Sequence, residues 1–112
     1  NYEIARAQYS SGSYTAAYNT AMSVSGPQKG KALVIAGQCV GKNANNCGST
    51  TMERKSNYVY AVQLLEQARS LGESTGGTIS NYKAMYPTTD DIFGSNNPSS
   101  ITLSCYGVTV NL

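Results

Sequence analysis

The sequence predicts a mainly α domain: small antiparallel helical hairpins in a bundle, followed by a C-terminal β-strand tail. Three observations carry that expectation. Apolar residues recur at steps of three and four over Tyr14–Met22 and Thr51–Leu71, the spacing that lines one face of a helix. Gly and Pro punctuate the chain at intervals that suit helices of 8–20 residues. Beyond Ser100 the pattern changes to β-branched residues in alternation, the mark of an extended strand.

The first segment, Tyr2 to Val24, is divided by Ser10-Ser11-Gly12-Ser13. Its first half suits a short helix. In its second half Tyr14, Ala17, Tyr18, Ala21 and Met22 share a face, Ser13 is placed to cap, and Gly26-Pro27 is a stop signal. Two helices with a Ser/Gly turn between them make a helical hairpin. Lys29 to Val40 carries Ala32, Leu33, Ile35, Ala36, Cys39 and Val40 at helical spacing and reads as a helix, while Val34 and Ile35 between Gly30 and Gly41 also fit a buried strand. Gly41–Thr50, GKNANNCGST, reads as a loop insertion that builds no core. Thr51–Leu71 is the firmest helix, with Thr50 or Thr51 as cap, Gly72 as terminator and a buried stripe through Tyr58, Leu65 and Ala68. Ile79–Tyr86 suits a short helix ended by Pro87, and Thr88–Ser100 reads as loop, with Asp90-Asp91 solvated in it. The chain thus divides into a helical interaction domain, 1–100, and a strand tail, 101–112. A lone strand leaves its backbone groups unpaired, so the tail must pair with this chain or with a neighbour.

Composition narrows the function. The 112 residues carry 8 Lys and Arg against 6 Asp and Glu, a net charge of +2, with the basic residues scattered. That is too weak for a dedicated nucleic-acid binder. With no His, the commonest general base and the commonest metal ligand are absent. No nucleophile–base pair or metal set can be assembled, so the reading is non-catalytic, with no cofactor. No run reaches the 18 apolar residues of a membrane helix, and no span within the chain is expected. Ser, Thr, Asn and Gly make up 45 of the 112 residues while charged residues are only 12 %. This surface chemistry, and an opening at Asn1 that reads as a mature or trimmed product, point to an extracytoplasmic setting.

Cys39, Cys47 and Cys105 give an odd count. In an oxidising compartment one pair could close, Cys47 with Cys39, or either of them with Cys105, and three reduced thiols are the alternative. Nine Tyr against one Phe and no Trp is a skewed choice of aromatics; Tyr joins a large apolar area to a polar tip and suits half-buried positions and interfaces. Core packing accounts for Tyr14, Tyr18 and Tyr58. Tyr9, Tyr60 and Tyr106 fall off those faces and are candidate contacts with a protein partner or another copy, together with Val108 and Val110 of the tail.

Tyr14-x-x-Ala17-Tyr18-x-x-Ala21-x-x-Val24 is echoed 44 residues later by Tyr58-x-x-Ala61-Val62-x-x-Leu65-x-x-Ala68, and the offset falls to 34 without the ten-residue loop. With Ile4-Ala5, Gly12-x-Tyr14-x-x-Ala17 and the closing Pro27, residues 1–73 resemble the tetratricopeptide-type helical hairpin repeat. The second unit departs from that pattern at Gln38 and Cys39. The resemblance implies a non-enzymatic scaffold that binds a partner on a concave helical face. Tyr2-Glu3-Ile4-Ala5-Arg6-Ala7-Gln8 is similar to a segment of the long helix of type IV pilins. That second resemblance implies an extracellular filament subunit, one helix on a small antiparallel sheet with a disulfide near the C-terminus.

Overall fold

The computed structural model describes residues 1–112, in six helices and one two-stranded sheet. Helix α1 (Tyr2–Ser10) starts on Asn1, whose side-chain oxygen accepts the Ile4 N–H at 3.0 Å. It ends where Gly12 takes φ +83° and the Ser13 N–H turns back onto Gln8 O at 2.9 Å. Glycine is the residue that enters this left-handed cap without strain. Helix α2 (Tyr14–Met22) follows at once; Ser13 sits at its N-cap, but its hydroxyl faces Ser11 Oγ at 3.3 Å and caps nothing. Gly26–Pro27 turns the chain through a single 3-10 turn, Gly26–Gln28, directly into α3 (Lys29–Lys42).

Helix α3 lies between α2 and α4 (Thr51–Ser70), and α1 packs on both α2 and α3. The close approach of α3 to its neighbours depends on glycine. A Cβ on Gly37 would lie 2.8 Å from Leu65 Cγ and 3.1 Å from the Ala61 carbonyl, and one on Gly41 would enter the ring of Tyr82. Thr50 caps α4 by accepting the Glu53 N–H at 3.1 Å. Gly72, at φ +96°, ends it in the same kind of left-handed cap as α1. The expected stripe Tyr58–Leu65–Ala68 is buried, and so are Asn57, Val59, Tyr60 and Leu64. The middle of α4 is therefore enclosed on most sides rather than amphipathic, because α3, α5 and the hairpin all pack on it.

Helix α5 (Gly76–Lys83) begins three residues before its expected start and buries Ile79 against Val62 and Leu65. The Thr75 hydroxyl donates to Leu65 O at 3.0 Å just ahead of it.

Three expectations are corrected. The segment 41–50 is not coreless: α3 continues to Lys42, a 3-10 turn spans Ala44–Asn46, and Ala44 and Cys47 are buried. The Asn57 amide, fully buried in α4, donates to Ala44 O at 3.2 Å, Cys47 O at 2.7 Å and Arg54 O at 3.2 Å. A side chain ten or more residues away thus supplies what the loop's own composition lacks.

Second, 88–100 contains a helix, α6 (Thr89–Gly94), started by a capping box in which Thr88 and Asp91 satisfy each other's backbone N–H. Asp91 also holds Lys55 Nζ at 2.7 Å, so only Asp90 of the acidic pair stands without an ion pair.

Third, the tail is a hairpin. β1 (Ser100–Leu103) and β2 (Val108–Asn111) pair antiparallel with Leu103 opposite Val108 and Ile101 opposite Val110. The four-residue turn Ser104–Gly107 reverses the chain, so odd residues of β1 and even residues of β2 share one face. Leu103 and Val110 from that face join the main core. The backbone need that called for a partner is met within the tail.

Candidate functional site

Three of the expected interface residues meet in the interior. The Tyr60 and Val110 side chains are 7 % and 1 % exposed, so neither is a contact for another molecule. Tyr60 packs against Tyr18 of α2 and Tyr106 of the hairpin turn, with ring centroids 6.2 and 5.5 Å away, and Tyr18 and Tyr106 lie 4.8 Å apart, so the three rings form a triangle. The Tyr18 and Tyr60 hydroxyls share a 2.5 Å hydrogen bond. Tyr106 is half-buried against this pair, with its hydroxyl 3.9 Å from Cys47 Sγ. Burial holds the Tyr106 phenol up at about 12 and raises Tyr18 as well, where the Tyr60 hydroxyl adds to the effect. The trio is a polar-tipped core that joins α2, α4 and the hairpin. Val108 is half-buried against the same core.

Cys47 and Cys105 form a disulfide with Cα atoms 5.7 Å apart, and Cys39 is free and buried. Beside the bridge, Glu53 Oε2 accepts the Ser104 hydroxyl at 2.6 Å and its N–H at 2.9 Å. Those two bonds hold the Glu53 carboxyl below its ordinary range. The turn is thus fastened to α4 by one covalent and two charge-assisted links. Burial pushes the Cys39 thiol up to about 12, far from a reactive thiolate. No three His, Cys, Asp or Glu side chains come together around a point that could hold a metal.

Tyr9 has a different place. It stacks obliquely on Tyr14 at 5.6 Å and lines a groove of about 380 Å³ between α1 and α3. Tyr2, Arg6 and Tyr9 form one wall, at the i, i+4, i+7 spacing of one helix face. Lys31, Val34, Ile35 and Gln38 form the other, at i, i+3, i+4, i+7. Glu73 closes one end, its carboxylate beside Gly30. The lining is mixed: the Tyr2 and Tyr9 rings with Val34 and Ile35 are apolar, and Arg6 and Lys31 stand against one carboxylate, Glu73. Arg6 Nη1 is 4.0 Å from Glu3, but both side chains are about two-thirds exposed, so that pair does little to neutralise Arg6. Burial, then Tyr14 and Cys39, raises the Tyr9 phenol, which stays a neutral donor at physiological pH.

Of the expected contacts only Tyr9 reaches this groove. Its other residues lie at two spacings on helices 20 or more residues apart in sequence, and the signal they leave there is a mixed aromatic and basic face on each.

No protein-family model, curated protein or solved structure matches the chain. The repeat-like and pilin-like resemblances rest on the residues quoted for them.

Proposed function

We propose that this chain is a non-catalytic protein-interaction module that works in an extracytoplasmic, oxidising setting and takes a segment of a partner protein into the α1–α3 groove. The observation that carries the reading is the groove itself: Tyr2, Tyr9, Val34 and Ile35 offer apolar contact on two rigid helices, and Arg6, Lys31 and Gln38 offer donors around it. Aromatic and Arg side chains of this kind dominate protein contacts. The packing of α1 on α2 and of both on α3 supports the scaffold role that the repeat resemblance implies. The Cys47–Cys105 bridge supports the compartment, since such links persist where thiols are not kept reduced.

A filament-subunit reading draws on the same bridge, which ties the C-terminal hairpin as the pilin resemblance implies. It is the weaker of the two because α1 stops at Ser10 and the body is a stack of helices rather than one helix on a sheet.

Selection of displayed peptides on the oxidised protein tests the interaction reading. Recovered segments should bind with micromolar affinity and lose it when Val34→Arg and Lys31→Glu fill and invert the groove. Equal binding by wild type and the groove variant would overturn it.

A further inference from the structure

We infer that the groove's partner is a second copy of this chain, which docks helix α6 into it through Phe93 and Asp90. This rests on the groove being an interaction site, and it names the occupant.

Phe93 is the most exposed large apolar side chain of the protein, at 73 %. It is not loose. The Thr88–Asp91 capping box fixes the start of α6, and Asp91 is held by Lys55 of α4. Ile92 turns inward to line a small apolar recess with Val59 and Tyr86. With Asp91 and Ile92 facing in, Asp90 and Phe93, three residues apart, face out together. Asp90 has no ion pair in the chain. The helix therefore presents one ring and one carboxylate on a rigid mount.

The groove offers the complement. It has room for an aromatic ring, apolar contact from Val34, Ile35 and the two tyrosine rings of α1, and Arg6 and Lys31 beside them for a carboxylate next to that ring. An apolar anchor flanked by an opposite charge gives both affinity and register. Groove and knob occupy different parts of the fold, α1 with α3 for one and α6 on the outer side of α4 for the other. The contact is therefore heterologous: each copy gives its knob to one neighbour and its groove to another, and assembly runs on beyond the dimer unless a ring closes.

The test uses the full oxidised chain in sedimentation velocity from micromolar to millimolar concentration. Wild type should show species larger than dimer that grow with concentration. A knob variant (Phe93→Ala with Asp90→Lys) and a groove variant (Lys31→Glu with Val34→Arg) should each be monomeric at concentrations where wild type assembles, each weakening self-association by about tenfold or more. Circular dichroism identical to wild type confirms the fold of each, and Lys31→Glu alone, on an exposed side chain, serves if the double variant is unstable. Mixed one to one, the two variants should form a heterodimer and stop there, because one intact groove meets one intact knob. A wild type that stays monomeric at millimolar concentration, a knob variant that still assembles, or a mixture that does not pair would each overturn the inference. Foreign peptides that bind the groove of a monomeric wild type would overturn the second copy as occupant while leaving the interaction site intact. Loss of both would remove the site as well.

Discussion

Removal of the Cys47–Cys105 link has the largest effect that can be worked from the structure. The bridge joins positions 58 residues apart and encloses α4, α5, α6 and β1. Closing a loop of that length restricts the unfolded chain by about 4 kcal/mol at 25 °C on the chain-entropy relation. The native contacts of the hairpin do not depend on the link: Leu103 and Val110 stay packed and Glu53 still holds Ser104. The variant Cys47→Ala with Cys105→Ser should therefore fold to the same structure. Cys47 is buried and Cys105 is exposed, so only the first substitution leaves a void, costing about 1 kcal/mol more.

A loss of about 4–5 kcal/mol is most of the stability of a marginal domain, where the whole is about 5–15 kcal/mol. For 112 residues it corresponds to a fall in Tm of about 15–20 °C. Equilibrium urea unfolding followed by circular dichroism measures it, and wild type in excess dithiothreitol should match the double variant. The slope m should rise as well, because the unlinked unfolded chain exposes more surface. A loss below about 1 kcal/mol would refute the reasoning, since it would mean the unlinked unfolded chain gains no freedom.

Three further outcomes are expected. Gly37→Ala should destabilise by about 1–3 kcal/mol, because its Cβ would meet Leu65 and the Ala61 carbonyl where α3 crosses α4; urea midpoints check this, with Gly77→Ala, which meets nothing, as the control. Asn57→Ala should cost about 2 kcal/mol or more by leaving the Ala44 and Cys47 carbonyls without their donor, and hydrogen exchange should show the 43–48 turn opening first. Asp91, held by Lys55 and then by the Thr88 N–H and hydroxyl, is drawn down to about 2 from 3.8. Its contribution is full above the unfolded value and is lost as pH falls through the folded one. Helix α6 should therefore loosen between about pH 4 and pH 2, and Asp91→Asn should abolish that dependence in amide exchange of Ile92 and Phe93.

Local chemistry made much of the fold legible. Helices α1 to α4 follow from apolar spacing and from terminators at Gly12 and Gly72, since both signals act within a turn or two of chain. The capping box of α6 was equally local, Thr88 with Asp91, but six residues between turn signals carry too little periodicity to stand out. The hairpin was hidden for another reason. Four residues of turn in Ser104–Gly107 invert the parity of the strand, so an alternation read straight through places Leu103 and Val110 on opposite faces.

By itself the amino-acid sequence determined the helical class and the order of the principal elements, and it shows that the chain has no histidine. It could do so because helix periodicity, caps and missing residue types are properties of short stretches or of composition. Only the tertiary structure decided which tyrosines are buried, which cysteines join, and that α1 and α3 share a groove. Each of those depends on residues dozens of positions apart brought within a few ångströms. Tyr60 shows why: its position on α4 is periodic, but its burial comes with Tyr18 of α2 and Tyr106 of the hairpin turn, which pack on it and on each other.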